Sequence, residues 1–76
     1  MFSKKIFAER IKILRTEKNI KQSELGEMVG LTSNAISDIE RGRRTTTLEK
    51  LDTLADYFDV SVDYLMGRTD NPKVNR

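Results

Sequence analysis

The stretch from Gln22 to Gly42 constrains the fold of this 76-residue chain most strongly, because it has the pattern of two short helices joined by a tight turn. Apolar residues recur there at a spacing of three or four, the period of a helix with one buried face. Gly30 stands between the two patterns, and glycine takes the left-handed conformation of a tight turn without a Cβ penalty. The positions that we expect to be buried in this stretch are Leu25, Met28, Val29, Leu31, Ile36 and Ile39.

The second of these helices carries short polar side chains on the side opposite its apolar residues. Side chains of this kind can reach the edges of bases if the helix enters a DNA groove. The plain alternative is that the helix has a polar face in contact with solvent, as any amphipathic surface helix does. The residues concerned are Ser33, Asn34, Ser37 and Asp38.

Three further helices are predicted by the same apolar spacing. The first covers about residues 5–18, the fourth covers 48–58 with Thr47 as its N-cap, and a short fifth covers 62–66 and ends at Gly67. The polar, β-branched residues before Thr47 have no helical period and predict a loop. The chain is thus predicted to alternate short helices with short connections.

Local signals also set limits on the third helix and on the end of the domain. Thr32 can accept a hydrogen bond from an unpaired amide at the helix start, and Gly42 is placed to end that helix. Residues 68–76 contain one proline and one apolar side chain, so we expect a flexible tail or the beginning of a linker after a domain covering 1–67.

Helices without any strand signal predict an all-α domain, a compact bundle of about five short helices around a small core. Truncating a central core residue to alanine should cost about 2 to 5 kcal/mol of stability. The predicted core consists of Ile11, Leu14, Leu25, Val29, Leu31, Ile36, Ile39, Leu51, Leu54 and Leu65.

Composition excludes several classes of function. The chain has no Cys and no His, which excludes disulfides and thiolate or imidazole metal sites, and it has no glycine-rich phosphate loop. We therefore expect no enzyme activity, no cofactor and no metal site. Apolar runs of two or three residues predict no membrane span and no signal peptide, which makes the cytoplasm the expected location.

Charge is distributed unevenly along the chain. Residues 1–44 contain ten Lys and Arg against six Asp and Glu, a net charge of +4, whereas residues 45–76 contain four against six, a net charge of −2. The basic half contains the two-helix motif, as expected for contact with a polyanion. Chance clustering on a small surface is the alternative explanation.

The segment RIKILRTEKNIKQSELGEMVGLTSNAISDIERGRR, followed by LEKLDTLADYFDVSVDYLMG, resembles the helix-turn-helix domain of phage repressors, Cro proteins and their bacterial relatives in the Xre family. The resemblance covers about residues 7–67. It depends on features at fixed spacing: Arg15, Gln22, Gly30, the block from Ile36 to Glu40, Gly42 and the ending from Val60 to Leu65.

The resemblance implies a lambda-repressor-like fold and a sequence-specific transcriptional regulator, a repressor that binds a palindromic operator as a homodimer with helix 33–40 in the major groove. It also implies an ion pair between Arg15 and Glu40. Transferred position by position, the base contacts would be Ser33, Asn34, Ser37 and Asp38, and the phosphate contacts Lys21, Gln22, Thr32, Arg41, Arg43 and Arg44. Arginines in a loop are otherwise an ordinary solvated surface.

The sequence departs from the family pattern at three positions. Gly26 stands where alanine is usual, and we expect either residue to allow close approach of the third helix. Lys21 stands where a Ser or Thr cap is common, so the second helix should lose a capping bond. Asp38 stands where a basic or amide residue is common; it either accepts a hydrogen bond from a cytosine amino group or turns away from the DNA.

A protein-binding module is the second class of function that fits the chain: an antitoxin or accessory regulator whose main partner is another protein. For a homodimer, the candidate contacts are Tyr57, Tyr64 and Met66, although partial burial within one molecule is the simpler explanation for each of them.

Overall fold

The computed structural model describes residues 2–74 and contains, within them, five helices and no strand. The all-α prediction is confirmed, and the first helix is displaced by one residue from the predicted 5–18. No helix in the described part of the chain has the length and hydropathy to cross a membrane. The helices are α1 (Lys4–Glu17), α2 (Gln22–Val29), α3 (Ser33–Glu40), α4 (Leu48–Phe58) and α5 (Val62–Met66).

Hydroxyl side chains define the starts of four helices. Thr32 Oγ1 accepts from the amide of Ala35 at 3.0 Å and Thr47 Oγ1 accepts from the amide of Lys50 at 3.2 Å, as predicted. Two further caps, Ser3 before α1 and Ser61 before α5, were not predicted. Each of these bonds satisfies one of the amides that a helix start leaves unpaired.

The start of α2 is different because Lys21 has no side-chain acceptor. Instead, the carboxylate of Glu24 accepts a hydrogen bond from the backbone amide of Lys21 at 2.9 Å. This is one half of a capping box, in which an acid three residues into the helix reaches back to the residue before it. The capping bond from the side chain at position 21 is absent, as predicted, and the bond from Glu24 pairs the amide of Lys21 instead.

The core differs from the predicted core at several positions. Leu14 and Leu31 are only partly buried and pack against the core from outside, whereas four residues outside the predicted core are buried: Phe7, Ala55, Phe58 and Val60. Met28 was wrongly expected to be buried and is 62% exposed, because successive residues of a helix point about 100° apart and Val29 takes the inward direction. The buried core cluster is Phe7, Ile11, Leu25, Val29, Ile36, Ile39, Leu51, Leu54, Ala55, Phe58, Val60 and Leu65.

The packing order of the helices leaves one side of α3 uncovered. Helix α3 packs mainly against α1 and α2, while α4 packs against α2 and α5, and α5 also contacts α1. The buried residues of α3 are Ala35, Ile36 and Ile39, which all lie on its inner side. The outer side of α3 therefore remains on the surface of the domain.

Arg10 connects α1 to the residues that follow α5. Its guanidinium donates to the carbonyls of Tyr64 and Thr69 and, at 2.7 Å, to the carboxylate of Asp70. The amide of Ser61 donates to the carbonyl of Pro72 at 3.0 Å. Part of the segment predicted as a tail thus contacts the domain, and residues 75–76 lie outside the described residues.

Candidate nucleic-acid interface

The turn between α2 and α3 is built on two glycines. Gly30 ends α2 in the left-handed conformation, with φ 76° and ψ 34°, as predicted. One turn earlier, the carbonyl of Gly26 accepts from the amide of Leu31 at 2.7 Å. A Cβ at position 26 would lie 2.4 Å from the carbonyl oxygen of Leu31, so alanine does not fit there without moving the turn. The expectation that Gly and Ala are equivalent at this position was wrong.

The outer face of α3 consists of four polar side chains. Ser33 and Asn34 are exposed, and Ser37 and Asp38 are partly buried at the edge of the same face. Within residues 2–74, none of the four side chains is part of a hydrogen bond or an ion pair. Their donors and acceptors are consequently available to a second molecule.

Three arginines follow this face. Arg41, Arg43 and Arg44 are on the surface, and none forms an ion pair within the described part of the chain. Arg43 and Arg44 belong to the irregular segment before α4, where a loop was predicted. Lys21 adds an exposed cation at the start of α2. We call these four residues the cationic rim.

Thr32 combines a structural bond with an available proton. Its hydroxyl oxygen accepts from the amide of Ala35, and the side chain is exposed. Because a hydroxyl donates and accepts at the same time, its proton can still be donated to an anion next to α3.

Arg15 and Glu40, the pair implied by the family resemblance, lie in contact between α1 and the end of α3. Arg15 Nε donates to Glu40 Oε2 at 2.6 Å and Arg15 Nη2 donates to Glu40 Oε1 at 3.0 Å, so the ion pair is bidentate. Only 4% of the Glu40 side chain and 16% of the Arg15 side chain are exposed. The hydrogen bond with Glu40 raises the pKa of Arg15 above its ordinary high value, so the guanidinium stays charged.

Gln22 belongs to the same network. Its Nε2 donates to Glu40 Oε1 at 3.1 Å, while Arg15 Nη1 donates to the carbonyl of Ile20 at 2.8 Å. Glu40 therefore receives bonds from α1 and α2 at once and joins three helices around the turn. The sequence motif marks Gln22 by its spacing, but the contact depends on the angle between α2 and α3, which spacing does not specify.

A separate cleft of the domain is acidic. A cleft between α4 and α5 is lined by nine residues, of which four are aspartates: Asp52, Asp56, Asp59 and Asp63. The charge asymmetry along the sequence thus has a counterpart in the fold: the cationic rim consists of residues between 21 and 44, and the four carboxylates line the cleft between α4 and α5. A polyanion would be attracted to the cationic rim and repelled by the cleft.

A packed helix with an exposed polar face, a tight glycine turn before it and arginines without ion pairs after it defines a helix-turn-helix unit. The helix-turn-helix family model matches residues 11–65, and this chain belongs to that family. The matched relatives are DNA-binding transcriptional regulators and not enzymes, in agreement with the resemblance to Xre and Cro proteins.

Three similar proteins illustrate the relationship. The HTH-type transcriptional regulator YobD of Bacillus subtilis is 34% identical over 93% of this chain, which spans 65% of the length of YobD. Control protein C.SmaI of Serratia marcescens is 37% identical, with 86% of this chain and 77% of C.SmaI covered. The P22 c2 repressor, solved in complex with a synthetic operator, is 38% identical with a TM-score of 0.77, over 80% of this chain and 92% of that one.

Proposed function

We propose that this protein is a sequence-specific transcriptional regulator, a repressor that binds a palindromic operator as a homodimer with α3 in the major groove. The observation that carries the proposal is the outer face of α3, whose four polar side chains have no partner between residues 2 and 74. The similar P22 c2 repressor, which was solved with an operator, supports it. A cytoplasmic location is part of the proposal.

The dimensions of α3 suit a major groove. An α-helix with its side chains is about 10 to 12 Å across, close to the major-groove width of about 12 Å. Asn34 has the paired donor and acceptor that match adenine, whereas Ser33 and Ser37 suit more than one base. Asp38 is an acceptor only, which fits a cytosine amino group and disfavours nearby phosphate.

The cationic rim would hold the DNA backbone on either side of that groove. Contacts to phosphate orient a protein on the duplex without reading its sequence. If a dimer neutralised about 8 phosphates, the logarithm of its affinity would fall with the logarithm of salt concentration with a slope of about −7. The proposed phosphate contacts are Lys21, Gln22, Thr32, Arg41, Arg43 and Arg44.

A palindromic operator requires two copies of this domain. Half-sites on one face of DNA are separated by about 34 to 36 Å, and the domain measures 29 × 23 × 22 Å. One copy has a single recognition helix and is smaller than this separation, so it cannot place a helix in both grooves. Two copies related by a twofold axis would present two identical α3 helices.

Selection from a random duplex pool, followed by sequencing, tests this function. We expect an inverted-repeat consensus for the wild-type protein and loss of enrichment for the double variant Asn34→Ala/Ser37→Ala, whose changed side chains are not in the core. If the wild-type protein bound no duplex even at low salt, the regulator function would be rejected. An antitoxin or accessory regulator with a protein partner would then take its place.

A further inference from the structure

We infer that a cleft between the start of α1 and the end of α3 binds a phosphate group of the DNA backbone, in addition to the phosphates proposed for the cationic rim. The inference rests on the proposed function, because it adds a contact to the same DNA-bound state. We call this site the Lys4 cleft. Its lining includes the cations Lys4, Lys5 and Arg41 and the acids Glu9 and Glu40.

Cations without counter-charges predominate in the Lys4 cleft. The three cations of the lining are exposed, and none of them forms an ion pair between residues 2 and 74. The charge of Glu40 is already balanced, because its carboxylate is paired with Arg15 at 2.6 Å. Glu9 is then the one acid of the lining set against three cations. The cleft therefore attracts an anion.

The positions of the two lysines are unfavourable for α1 itself. Lys4 and Lys5 are the first two residues of this helix, and its first turn contains no acid. The amides at a helix start carry partial positive charge, so cations there lower the stability of the helix. Residues that break a local rule in this way are expected at functional sites. A bound anion would make the same two charges favourable.

The backbone that carries the two lysines is ordered by the rest of the domain. The amide of Ser3 donates to the carbonyl of Met66 at 3.0 Å, and the hydroxyl of Ser3 caps α1. Phe7 and Ala8, in the next turn, are buried. Binding an anion at the start of α1 thus has little backbone entropy to remove, which favours affinity.

Arg41 makes the Lys4 cleft continuous with the cationic rim. It belongs to both sets of residues and directly follows the last residue of α3. The packing of α1 against α3 brings the two lysines to Arg41, although they are far from it in the sequence. A DNA backbone in contact with Arg41 would therefore lie beside the two lysines.

The chemistry of the lining favours a backbone phosphate over a free small molecule. Lysine binds phosphate as a point charge, and contacts of this kind orient DNA without reading its sequence. Sites for small organic ligands are mostly apolar and aromatic. Among the described residues, the lining of the Lys4 cleft contains no aromatic side chain on which a base could stack, and Ala8 is its one apolar side chain.

Fluorescence anisotropy of the full chain on the selected operator tests the inference. Lys4→Gln/Lys5→Gln removes two charges from the cleft, and the matched control Lys12→Gln/Lys73→Gln removes two charges from exposed lysines outside it. We expect the cleft variant to bind about 10-fold more weakly at low salt. The steepness of its salt dependence should fall by about 1 per protomer. An equal effect of both variants would overturn the inference, because net charge alone would then explain it.

Urea unfolding separates an effect on binding from an effect on folding. Lys4→Gln/Lys5→Gln should leave the stability unchanged or raise it slightly, because it removes cations from a helix start. Weaker binding by a variant of undiminished stability supports the inference. Weaker binding that follows from a loss of stability would overturn it.

Ethylation interference on the operator locates the contact. Ethylation removes the charge of a phosphate, so the wild-type protein should show one sensitive phosphate in each half-site that the cleft variant no longer shows. This phosphate should differ from the one lost by Arg43→Ala. An identical pattern for the wild type and the cleft variant would overturn the inference. The inverted-repeat consensus and its dependence on Asn34 would still stand in that case, so the proposed function would survive.

Inorganic phosphate, added to the free protein, distinguishes DNA from a free anion as the source of the phosphate. We expect no saturable change in the amide chemical shifts of the Lys4 cleft up to about 1 mM phosphate, since a single group without the rest of the duplex binds weakly. Saturation below that concentration, together with unchanged operator binding by the cleft variant, would assign the cleft to a free anion and overturn the inference.

Discussion

The carbonyl oxygen of Leu31 occupies the space in which a side chain at Gly26 would begin. The two residues are joined by a 2.7 Å hydrogen bond from the amide of Leu31 to the carbonyl of Gly26. The missing Cβ thus lets the turn fold back against the middle of α2, and this determines how closely α3 approaches. Gly26 weakens the helix, but the close contact with Leu31 requires a residue without a Cβ at this position.

Gly26→Ala should lower stability, although alanine is the better helix former by about 1 kcal/mol. The added Cβ would lie 2.4 Å from a backbone oxygen, which cannot rotate away as a side chain can. We expect a net loss of about 1 to 3 kcal/mol in urea unfolding. The control is Ser23→Ala, at an exposed position of α2. It changes only the helix propensity and should be neutral or slightly stabilising. Stabilisation by Gly26→Ala would refute the close contact.

The contact between Arg15 and Glu40 should appear as a coupling in a double-mutant cycle. Removing either partner leaves the other largely buried without its counter-charge, so Arg15→Ala and Glu40→Ala should each cost about 2 to 4 kcal/mol. The double variant should lose clearly less than the sum of the two. Thermal melts of the four proteins give the comparison, and additive losses would show that the two residues do not interact.

Arg15→Lys tests the geometry of the same contact. Lysine keeps the charge but cannot donate from two nitrogens to one carboxylate in a fixed plane, as Arg15 does through Nε and Nη2. We expect it to recover less than half of the stability that Arg15→Ala removes, as measured by the same thermal melts. Full recovery would mean that charge alone accounts for the pair.

Asn34→Ala should change which duplexes are bound more than how tightly DNA in general is bound. The side chain is exposed and makes no bond in the described structure, so folding should be unaffected. Removing a two-bond contact with one base should cost about 1 to 3 kcal/mol on the selected operator and relax the preference at that position. Fluorescence anisotropy measures both affinities. If Asn34→Ala weakened binding to the operator and to random DNA equally, Asn34 would not be a base contact.

Arg43→Ala should weaken binding to all sequences alike. If Arg43 binds a phosphate, its removal should reduce the steepness of the salt dependence by about 1 per protomer. Arg68→Ala removes the same charge from an exposed position near Asp63, 3.8 Å away, and serves as the control. An unchanged salt slope for Arg43→Ala would exclude that side chain from binding the DNA backbone.

Local chemistry in the chain determined the helices and the exposed polar face. Thr32 and Thr47 cap helices wherever those helices lie, because the bond reaches only three residues along the chain. The left-handed turn at Gly30 is equally local. Spacing therefore predicted both the turn and the face of α3 that carries Asn34.

Tertiary packing determined the contacts between different helices and the exposure of their side chains. The contact of Gly26 with Leu31, the bond from Gln22 to Glu40 and the exposure of Met28 all depend on the angle at which α2 meets its neighbours. Apolar spacing indicates that a helix has a buried side but not how far that side extends, because the width of the contact is set by the partner helix. The assembly of α1, α2 and α3 around Glu40 therefore emerges only in the folded molecule.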